Sequence, residues 1–254
     1  MSLATKNNPH IVLCFAMYDE AKALIQKTGV IENTQLFHSK LPQRIFQGKY
    51  KDFSLSIVTS GTDTRYDNVD NIGCEAAVLS AYESIRILTP DLVISAGTAG
   101  GFSKRGAVIG KVYLSHQSIF FHDRHVPLPG FQESAIGAYP CVDAIELAKQ
   151  LNLDVGTISS GSSLQKSSSD IDLIEKYGAI AKEMEAAAIA WVSMLFNTPF
   201  LAVKSITNIV DENNKSEEAF LGNFDLACVS LTNTIIQLLN KLDQNTLKKW
   251  KLAC

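Results

Sequence analysis

Lys182-Glu183-Met184-Glu185-Ala186-Ala187-Ala188-Ile189-Ala190 sets two carboxylates two residues apart at the start of an alanine-rich, apolar run. The run consists almost entirely of good helix formers, which predicts a helix with acids in its first turn. One interpretation is that Glu183 and Glu185 only stabilise the positive end of the helix dipole. The run is apolar on nearly all sides, which favours burial. A buried carboxylate needs a partner from the protein or from a ligand, and a sugar diol is one such ligand.

The composition is that of a globular chain with nearly balanced charge. The 254 residues are 46% hydrophobic and 19% charged, which suits one large domain or two small ones. A net charge of −3 argues against nucleic acid as the main partner. The five cysteines are scattered and lack a Cys-x-x-Cys pair, which indicates a reducing compartment and no structural zinc. We find no signal peptide and expect no segment long enough to span a membrane, so the cytoplasm is the expected location.

Strand-like and helix-like stretches alternate along the chain, which predicts one α/β domain over residues 10–242. It lies between a polar N-terminal segment, 1–9, and a basic, solvated C-terminal tail, 243–254. Apolar runs predict strands within residues 10–16, 37–50, 53–59, 91–96, 108–121, 155–159 and 200–206. Helical patterns occur up to residue 25 and at about 71–87, 142–151 and 170–177. A closing amphipathic helix is expected to bury Leu226, Val229, Ile236, Leu239 and Leu242.

Polar residues follow three of the buried strands at the points where the strands end. Asp19 and Glu20 begin a helix after the first strand, and Thr207 and Asn208 follow the last one. Gly97-Thr98-Ala99-Gly100-Gly101 follows the strand between them and is expected to form a turn; it matches neither the dinucleotide fingerprint nor the P-loop. Ligands of open α/β sheets bind at the carboxyl ends of strands. Helix capping by the acids and a plain glycine turn remain alternatives.

Two further polar segments could bind ions. His122 and His125 form a His-x-x-His pair, but no further metal ligands lie nearby in the sequence. A polar loop at the edge of the sheet is the simpler interpretation, so no metal ion is expected. The serine-rich segment 159–169 could bind anions or cap the next helix, and capping is favoured.

Four segments together carry a resemblance to a known family: Ala16-Met17-Tyr18-Asp19-Glu20, Gly97-Thr98-Ala99-Gly100-Gly101, Glu183-Met184-Glu185-Ala186 and Ser205-Ile206-Thr207-Asn208. Their order and spacing resemble the 5′-methylthioadenosine/S-adenosylhomocysteine nucleosidases of the purine nucleoside phosphorylase/uridine phosphorylase superfamily. The plant-type branch looks closest. The resemblance implies a single α/β domain with a central mixed, partly barrel-like β-sheet flanked by helices. It also implies hydrolysis of an adenine N-glycosidic bond, without a cofactor, as part of methionine salvage.

The resemblance further implies roles for individual residues. Glu20 would hold the attacking water, and Glu185 would bind the ribose diol while Met184 packs on the sugar. Carboxylates suit this chemistry because they stabilise the cationic sugar of the transition state. The other substrate-binding residues implied are Met17, Thr98, Ala99, Gly100, Leu164, Gln165, Glu183, Lys204 and Thr207. The alkylthio end would be completed by a second subunit of a homodimer, and residues 126–131 are the candidate for the donated wall.

One catalytic position departs from the family pattern. The family's general acid, which protonates adenine at N7, is an aspartate where this chain has Asn208. An asparagine has nearly the same shape and can donate a hydrogen bond, but it cannot act as the acid. Asp211 stands three residues further on, in a register that makes substitution for the acid unfavourable. Ser162 also replaces an aspartate that the family often has.

Three functions therefore remain open. The first is a nucleosidase slowed by Asn208, whether that residue is natural or engineered. The second is a homologue that binds adenine nucleosides without cleaving them. The third is a phosphorylase that uses Arg65 and Arg124 for phosphate, although a carboxylate at Glu20 would repel that anion.

Overall fold

The computed structural model of the chain describes residues 8–212 and 216–252. Its strands are β1 (His10–Phe15), β2 (Ile31–Glu32), β3 (Arg44–Tyr50), β4 (Phe53–Thr59), β5 (Thr62–Asp63), β6 (Val69–Asp70), β7 (Leu92–Gly101), β8 (Val112–Phe121), β9 (Tyr139–Pro140), β10 (Asp154–Ser160), β11 (Ala179–Glu183) and β12 (Phe200–Ile209). Its α-helices are α1 (Tyr18–Thr28), α2 (Cys74–Leu88), α3 (Phe131–Ile136), α4 (Ile145–Leu151), α5 (Ser168–Tyr177), α6 (Ala186–Leu195), α7 (Ser216–Lys241) and α8 (Gln244–Leu252). Of the predicted N-terminal segment 1–9, residues 1–7 lie outside the described residues.

One mixed sheet organises the domain, and part of it closes on itself. The strands follow the order β11-β10-β8-β12-β7-β1-β4-β3-β2, and an antiparallel pairing of β11 with β7 closes the first five into a barrel. The remaining four strands extend from β7 as an open sheet. The predicted single α/β domain with a mixed, partly barrel-like sheet is therefore confirmed.

The three central strands are parallel, and their apolar sequences explain their position. β1 pairs with β4 and β7, and β7 also pairs with β12, all in parallel. A strand that is covered on both faces reads as a continuous apolar run, as these three do. Because they are parallel, the carboxyl ends of β1, β7 and β12 meet at one edge of the sheet, which brings distant polar residues together.

Helices cover the sheet on both sides. Helices α2 and α6 pack against each other, and α7 packs against β12, β7 and α1. The predicted stripe is partly wrong: Leu239 in α7 and Leu242 just after the helix are buried, whereas Leu226 and Val229 in α7 are 54% and 57% exposed. The inner face of that half of the helix consists of Ala227, Cys228 and Leu231, whose smaller members a pattern of large apolar residues overlooks.

Helix α7 also corrects the expectation about membrane spans. By length and composition it could cross a membrane, although no segment of that kind was expected. One such helix is weak evidence, because the core helix of a globular protein passes the same test. Helix α7 packs on the sheet along one face, and 33% of its apolar window is buried there.

Three local predictions differ from the structure. The glycine segment is no turn, because residues 97–101 continue β7 and pair with both β12 and β11. Glu183 ends β11 and Glu185 directly precedes α6, so neither acid lies in the first helical turn. The predicted solvated tail instead forms α8, whose Leu247 and Trp250 are buried; residues 253–254 lie outside the described residues.

Candidate active site

A cavity of about 220 Å³ lies at the carboxyl ends of the central strands. Glu20 and Glu185 both line it, although 165 positions separate them in the sequence. The predicted residues that line this cavity are Met17, Glu20, Thr98, Ala99, Gly100, Leu164, Glu183, Met184, Glu185, Thr207 and Asn208. The topology thus brings together residues from five separate segments of the chain.

Glu20 is held by the strand that neighbours its own helix. It is the third residue of α1, is 3% exposed, and accepts hydrogen bonds from Thr98 N and Thr98 Oγ1, both at 2.8 Å. The backbone N–H of Met17 donates to its other oxygen at 3.3 Å. Burial raises the pKa of Glu20 above its usual value, and the bonds from Thr98 oppose that shift. The arrangement fixes one carboxylate with a raised proton affinity at the cavity wall.

Two glycines of β7 allow functional side chains to approach the strand. A Cβ at Gly97 would lie 3.2 Å from Glu20 Oε1. A Cβ at Gly100 would lie 2.6 Å from Val210 Cγ2 and 3.3 Å from Asn208 Nδ2. The glycines thus permit close contact between β7 and the site, even though the segment forms no turn.

Glu185 occupies the junction between β11 and α6. The N–H of Gly73, at the start of α2, donates to Glu185 Oε1 at 2.8 Å. Burial and then the charge of Glu183 raise the pKa of Glu185 to about 7, while Lys204 opposes the shift. When ionised, this carboxylate can accept two hydrogen bonds from a diol.

Behind these acids lies a buried ion pair. Lys204 Nζ is 2.8 Å from Glu183 Oε2, and both side chains are buried. Glu183 also accepts from Ser160 Oγ and from the N–H of Ala186. Burial lowers the pKa of Lys204, but the charges of Glu183, Glu185 and then Glu20 more than offset this and leave the pKa above its ordinary value. Lys204 does not line the cavity, so it supports the site through Glu183.

Asn208 enters the cavity because β12 is irregular at that point. The pairing of β12 with β7 shifts between Ile206 and Asn208, which leaves Thr207 as an extra residue. Thr207 Oγ1 lies 2.9 Å from Asn208 Oδ1, to which it can donate, and 3.2 Å from the carbonyl of Ala99. The second lone pair of Oδ1 and the amide nitrogen of Asn208 are therefore left as the acceptor and the donor for a ligand.

The other candidate acid lies elsewhere. Asp211 accepts from the N–H groups of Ser103 and Lys104 at 2.8 and 3.0 Å and lines a separate depression. Its carboxylate thus caps a short 3-10 turn, Ser103–Arg105, outside the cavity. Ser162, which replaces a family aspartate, donates its N–H to Asp123 at 2.6 Å.

Sequence reasoning also missed some lining residues and, besides Lys204, assigned to the cavity one other residue that does not line it. Gln165 does not line the cavity; its carbonyl accepts a hydrogen bond from Lys182. The lining residues that were missed are Ala16, Ile72, Ser163, Lys182, Val210 and Phe220. Ala16, Lys182 and Val210 lie within two residues of predicted ones and could have been found by proximity, whereas Ile72 and Phe220 come from segments without a motif.

The histidines considered for a metal site and the arginines considered for a phosphate site do not line the cavity. His122 pairs with Ser159, and His125 pairs with Asp170, so the two rings bind separate partners. Arg65 pairs with Asp63 at 2.7 Å and is largely exposed. Arg124 stacks on Phe121 at 3.4 Å from the ring centre. Neither arginine lines the cavity, which weakens the case for a phosphate site.

Comparison with known proteins agrees with this geometry. A family model for the phosphorylase superfamily matches residues 10–240. The 5′-methylthioadenosine nucleosidase of Arabidopsis thaliana is 36% identical over 238 residues, which cover 93% of this chain and 88% of the relative. A 5′-methylthioadenosine/S-adenosylhomocysteine nucleosidase of the same plant is 36% identical over 231 residues, 91% of this chain and 90% of the relative.

The fold agrees as closely as the sequence does. The apo structure of an A. thaliana 5′-methylthioadenosine nucleosidase superposes with a TM-score of 0.92 at 34% identity. The superposition covers 96% of this chain and 99% of that one. The chain therefore belongs to the phosphorylase superfamily and, within it, to the family of 5′-methylthioadenosine/S-adenosylhomocysteine nucleosidases.

Proposed function

We propose that this protein hydrolyses the N-glycosidic bond of 5′-methylthioadenosine, S-adenosylhomocysteine or both, and releases adenine and a thioribose. The observation that carries the proposal is the convergence of Glu20, Glu185 and Asn208 on one cavity. The relatives named as nucleosidases, which match most of the chain, give it independent support.

Glu20 and Glu185 have different roles in the reaction at the sugar. As the glycosidic bond breaks, positive charge develops on the ribose, and nearby carboxylates stabilise it. Glu185 binds the ribose diol, and Met184 packs on the sugar beside it. Glu20, with its raised pKa, takes a proton from the attacking water as general base. Thr98 fixes Glu20 for this step, and Ala99 and Gly100 shape the adjoining wall.

Asn208 recognises adenine without protonating it. An asparagine amide pairs with adenine by donating to N7 and accepting from the N6 amine. This pairing favours the neutral base of the bound substrate, whereas catalysis requires interactions that strengthen in the transition state. The leaving adenine therefore departs without a strong acid at N7, and we propose that turnover is slow for this reason.

Asn208 also favours a second candidate, a protein that binds adenine nucleosides without cleaving them. In that case the acids would still bind ribose, but bond cleavage would be negligible. Incubation with methylthioadenosine, with free adenine measured over time, distinguishes the two. Slow release that is independent of phosphate supports the nucleosidase, and calorimetric binding without release supports the binder. Phosphate-dependent release would overturn both in favour of phosphorolysis.

Affinity for the nucleoside is expected to weaken as pH falls below about 7, because the pKa of Glu185 is raised to about 7 by burial and by Glu183. Protonation then removes an acceptor for the ribose diol. Titration calorimetry with methylthioadenosine from acid to neutral pH measures the change. Glu185→Gln carries no titrating group there and should bind weakly with a flat profile. Equal profiles for the two proteins would contradict the assignment.

Titration of Glu185 also makes the free energy of unfolding depend on pH. The pKa of Glu185 in the folded protein lies above the ordinary glutamate value of 4.5, so folding favours the protonated acid. That stabilising contribution is fully present below the unfolded pKa. It is lost as pH rises through about 7.

We also propose a homodimer, because the chain exposes an apolar face on two helices that pack together. The residues of this face are Leu79 and Tyr82 of α2 together with Trp191, Met194, Leu195 and Phe196 at the end of α6. The rings of Tyr82 and Phe196 lie 5.9 Å apart, which joins the two helical parts. Apolar surface of this kind marks protein contacts. Residues 126–131, with Leu128 and Phe131 exposed, remain the proposed wall for a partner's cavity.

Sedimentation equilibrium is expected to give twice the chain mass of 27.7 kDa. Trp191→Glu should shift the protein to monomers, because a charge would be buried at the contact. Ile31→Glu is the matched control, since Ile31 is 76% exposed on a different element. A monomeric unsubstituted protein, or a Trp191→Glu variant that stays dimeric, would refute the proposed face.

Location and pathway follow from the same proposal. We propose a cytoplasmic enzyme of methionine salvage, supported by the free thiols of Cys14, Cys74, Cys141 and Cys228. A fluorescent fusion examined in cells tests the location, and secretion of the fusion would contradict it.

A further inference from the structure

The segment between β10 and α5, residues 161–167, forms one wall of the cavity; we name it the serine loop. Ser163 and Leu164 of this loop line the cavity. Leu164 is nevertheless 48% exposed, and the loop has no regular secondary structure. Burial of apolar surface therefore does not explain how the loop keeps its shape.

A buried lysine binds the middle of the serine loop. Lys182, on β11, is 5% exposed. Its Nζ donates to three consecutive carbonyls, those of Ser163 at 3.1 Å, Leu164 at 2.9 Å and Gln165 at 2.8 Å. An ammonium has three N–H donors, so all of them are used within one loop. Hydrogen bonds from a charged donor are among the stronger ones in proteins.

Both ends of the loop have their own contacts, and its middle depends on Lys182. Asp123 accepts from the N–H of Ser162 at 2.6 Å, and Lys166 Nζ donates to the carbonyl of Val210. Among the described residues, no backbone N–H donates to the three carbonyls that Lys182 binds. Without the Lys182 ammonium, these three carbonyls would have no hydrogen-bond donor among the described residues.

The geometry points to Lys182 as a positioning residue for the nucleobase, and this inference rests on the proposed function. In a trans peptide the N–H of the next residue points away from the carbonyl. Lys182 therefore turns the N–H groups of Leu164, Gln165 and Lys166 away from itself. Lys182 itself lines the cavity, but all three of its donors bind the loop. We infer that Lys182 acts on the ligand through the loop, whose backbone faces the purine where Ser163 and Leu164 line the cavity.

The charges around Lys182 make this arrangement sensitive to pH. Burial, together with the smaller effect of the charge of Lys166, lowers the pKa of Lys182 to about 8, although the charges of Asp170 and Asp123 oppose the shift. His122, whose pKa is lowered to about 4, faces the same group and is neutral in this range. Above about pH 8 the neutral amine keeps two donors for three carbonyls. The loop should therefore loosen at alkaline pH.

The test replaces Lys182 and follows the loop and the ligand separately. Lys182→Met keeps an apolar stem of similar length but removes all three donors. In the ligand-free protein we expect faster amide hydrogen exchange in residues 162–166. We also expect KM for methylthioadenosine, or Kd if turnover is slow, to rise roughly ten-fold or more, with kcat changed much less. Lys182→Arg should restore most of the affinity, and Lys248→Met, on the exposed side of α8, should change neither readout.

The outcomes separate this inference from the proposed function. If Lys182→Met speeds amide hydrogen exchange in the loop but the unsubstituted protein binds no nucleoside, the loop contact is supported and the proposed function is refuted. Nucleoside cleavage with unchanged exchange and KM in Lys182→Met would overturn the role of Lys182 alone. If Lys182→Met does not fold, the pH dependence of nucleoside binding by the unsubstituted protein still tests the role of Lys182. Its nucleoside affinity should fall as pH rises through about 8, and constant affinity across that range would contradict the inference.

Discussion

Asn208→Asp is expected to raise the rate of adenine release by about 10²–10⁴-fold, the usual contribution of general acid catalysis. The two side chains have nearly the same shape, so Thr207 Oγ1 can still bond at 2.9 Å. Position 208 is 3% exposed, and burial of that kind raises the pKa of an aspartate and keeps a protonated fraction near neutral pH. Single-turnover measurement of adenine release from methylthioadenosine gives the comparison.

The control for this gain is the other aspartate near the end of β12. Asp211→Asn removes a carboxylate that caps the turn Ser103–Arg105 outside the cavity, and we expect no comparable change in kcat. Equal rates for Asn208→Asp and the unsubstituted protein would show that position 208 does not serve the leaving adenine.

Glu20→Gln is expected to lower adenine release by about 10²–10⁴-fold, because glutamine cannot take a proton from water. The effect is best measured in the Asn208→Asp background, where the starting rate is high. Glutamine places an oxygen where Thr98 donates its two bonds of 2.8 Å, so folding should change little. Loss of kcat with a much smaller change in affinity is the expected pattern.

Asp19→Asn provides the matched control, because Asp19 is the exposed neighbour on the same helical turn. It should leave kcat and KM close to their starting values. Retention of full activity in Glu20→Gln would mean that another group activates the water, and the catalytic assignment would have to be withdrawn.

The fold followed from the sequence wherever apolar runs decide the structure. The strands beginning near residues 10, 91 and 200 are continuous apolar runs, and such runs pack in the middle of a parallel sheet. The prediction failed where pairing or packing overrides local preference. Residues 97–101 have the composition of a turn, but strands on both sides extend β7 through them. Likewise, α8 is stabilised by the burial of Leu247 and Trp250. The basic composition of the tail had indicated a solvated segment instead.

The site was predictable to the extent that it lies at strand ends. Glu20 follows β1 and Asn208 lies near the end of β12, and parallel pairing with β7 brings these two strand ends together. Glu185 follows β11, which reaches the cavity because its antiparallel pairing with β7 closes the barrel. Lys182 was missed because its function depends on three carbonyls about eighteen residues away, and a sequence does not show where carbonyls point. Phe220 was missed for a related reason: only the packing of α7 brings it to the cavity.

A crystal structure of the protein with methylthioadenosine tests the central claim most directly, because slow turnover through Asn208 allows the intact nucleoside to be trapped. We predict Glu185 within about 3 Å of the ribose hydroxyls, Glu20 bound to a water beneath the anomeric carbon, and Asn208 beside N7. A nucleoside bound in this cavity whose ribose contacts neither Glu20 nor Glu185 would contradict the account, as would one bound at another place.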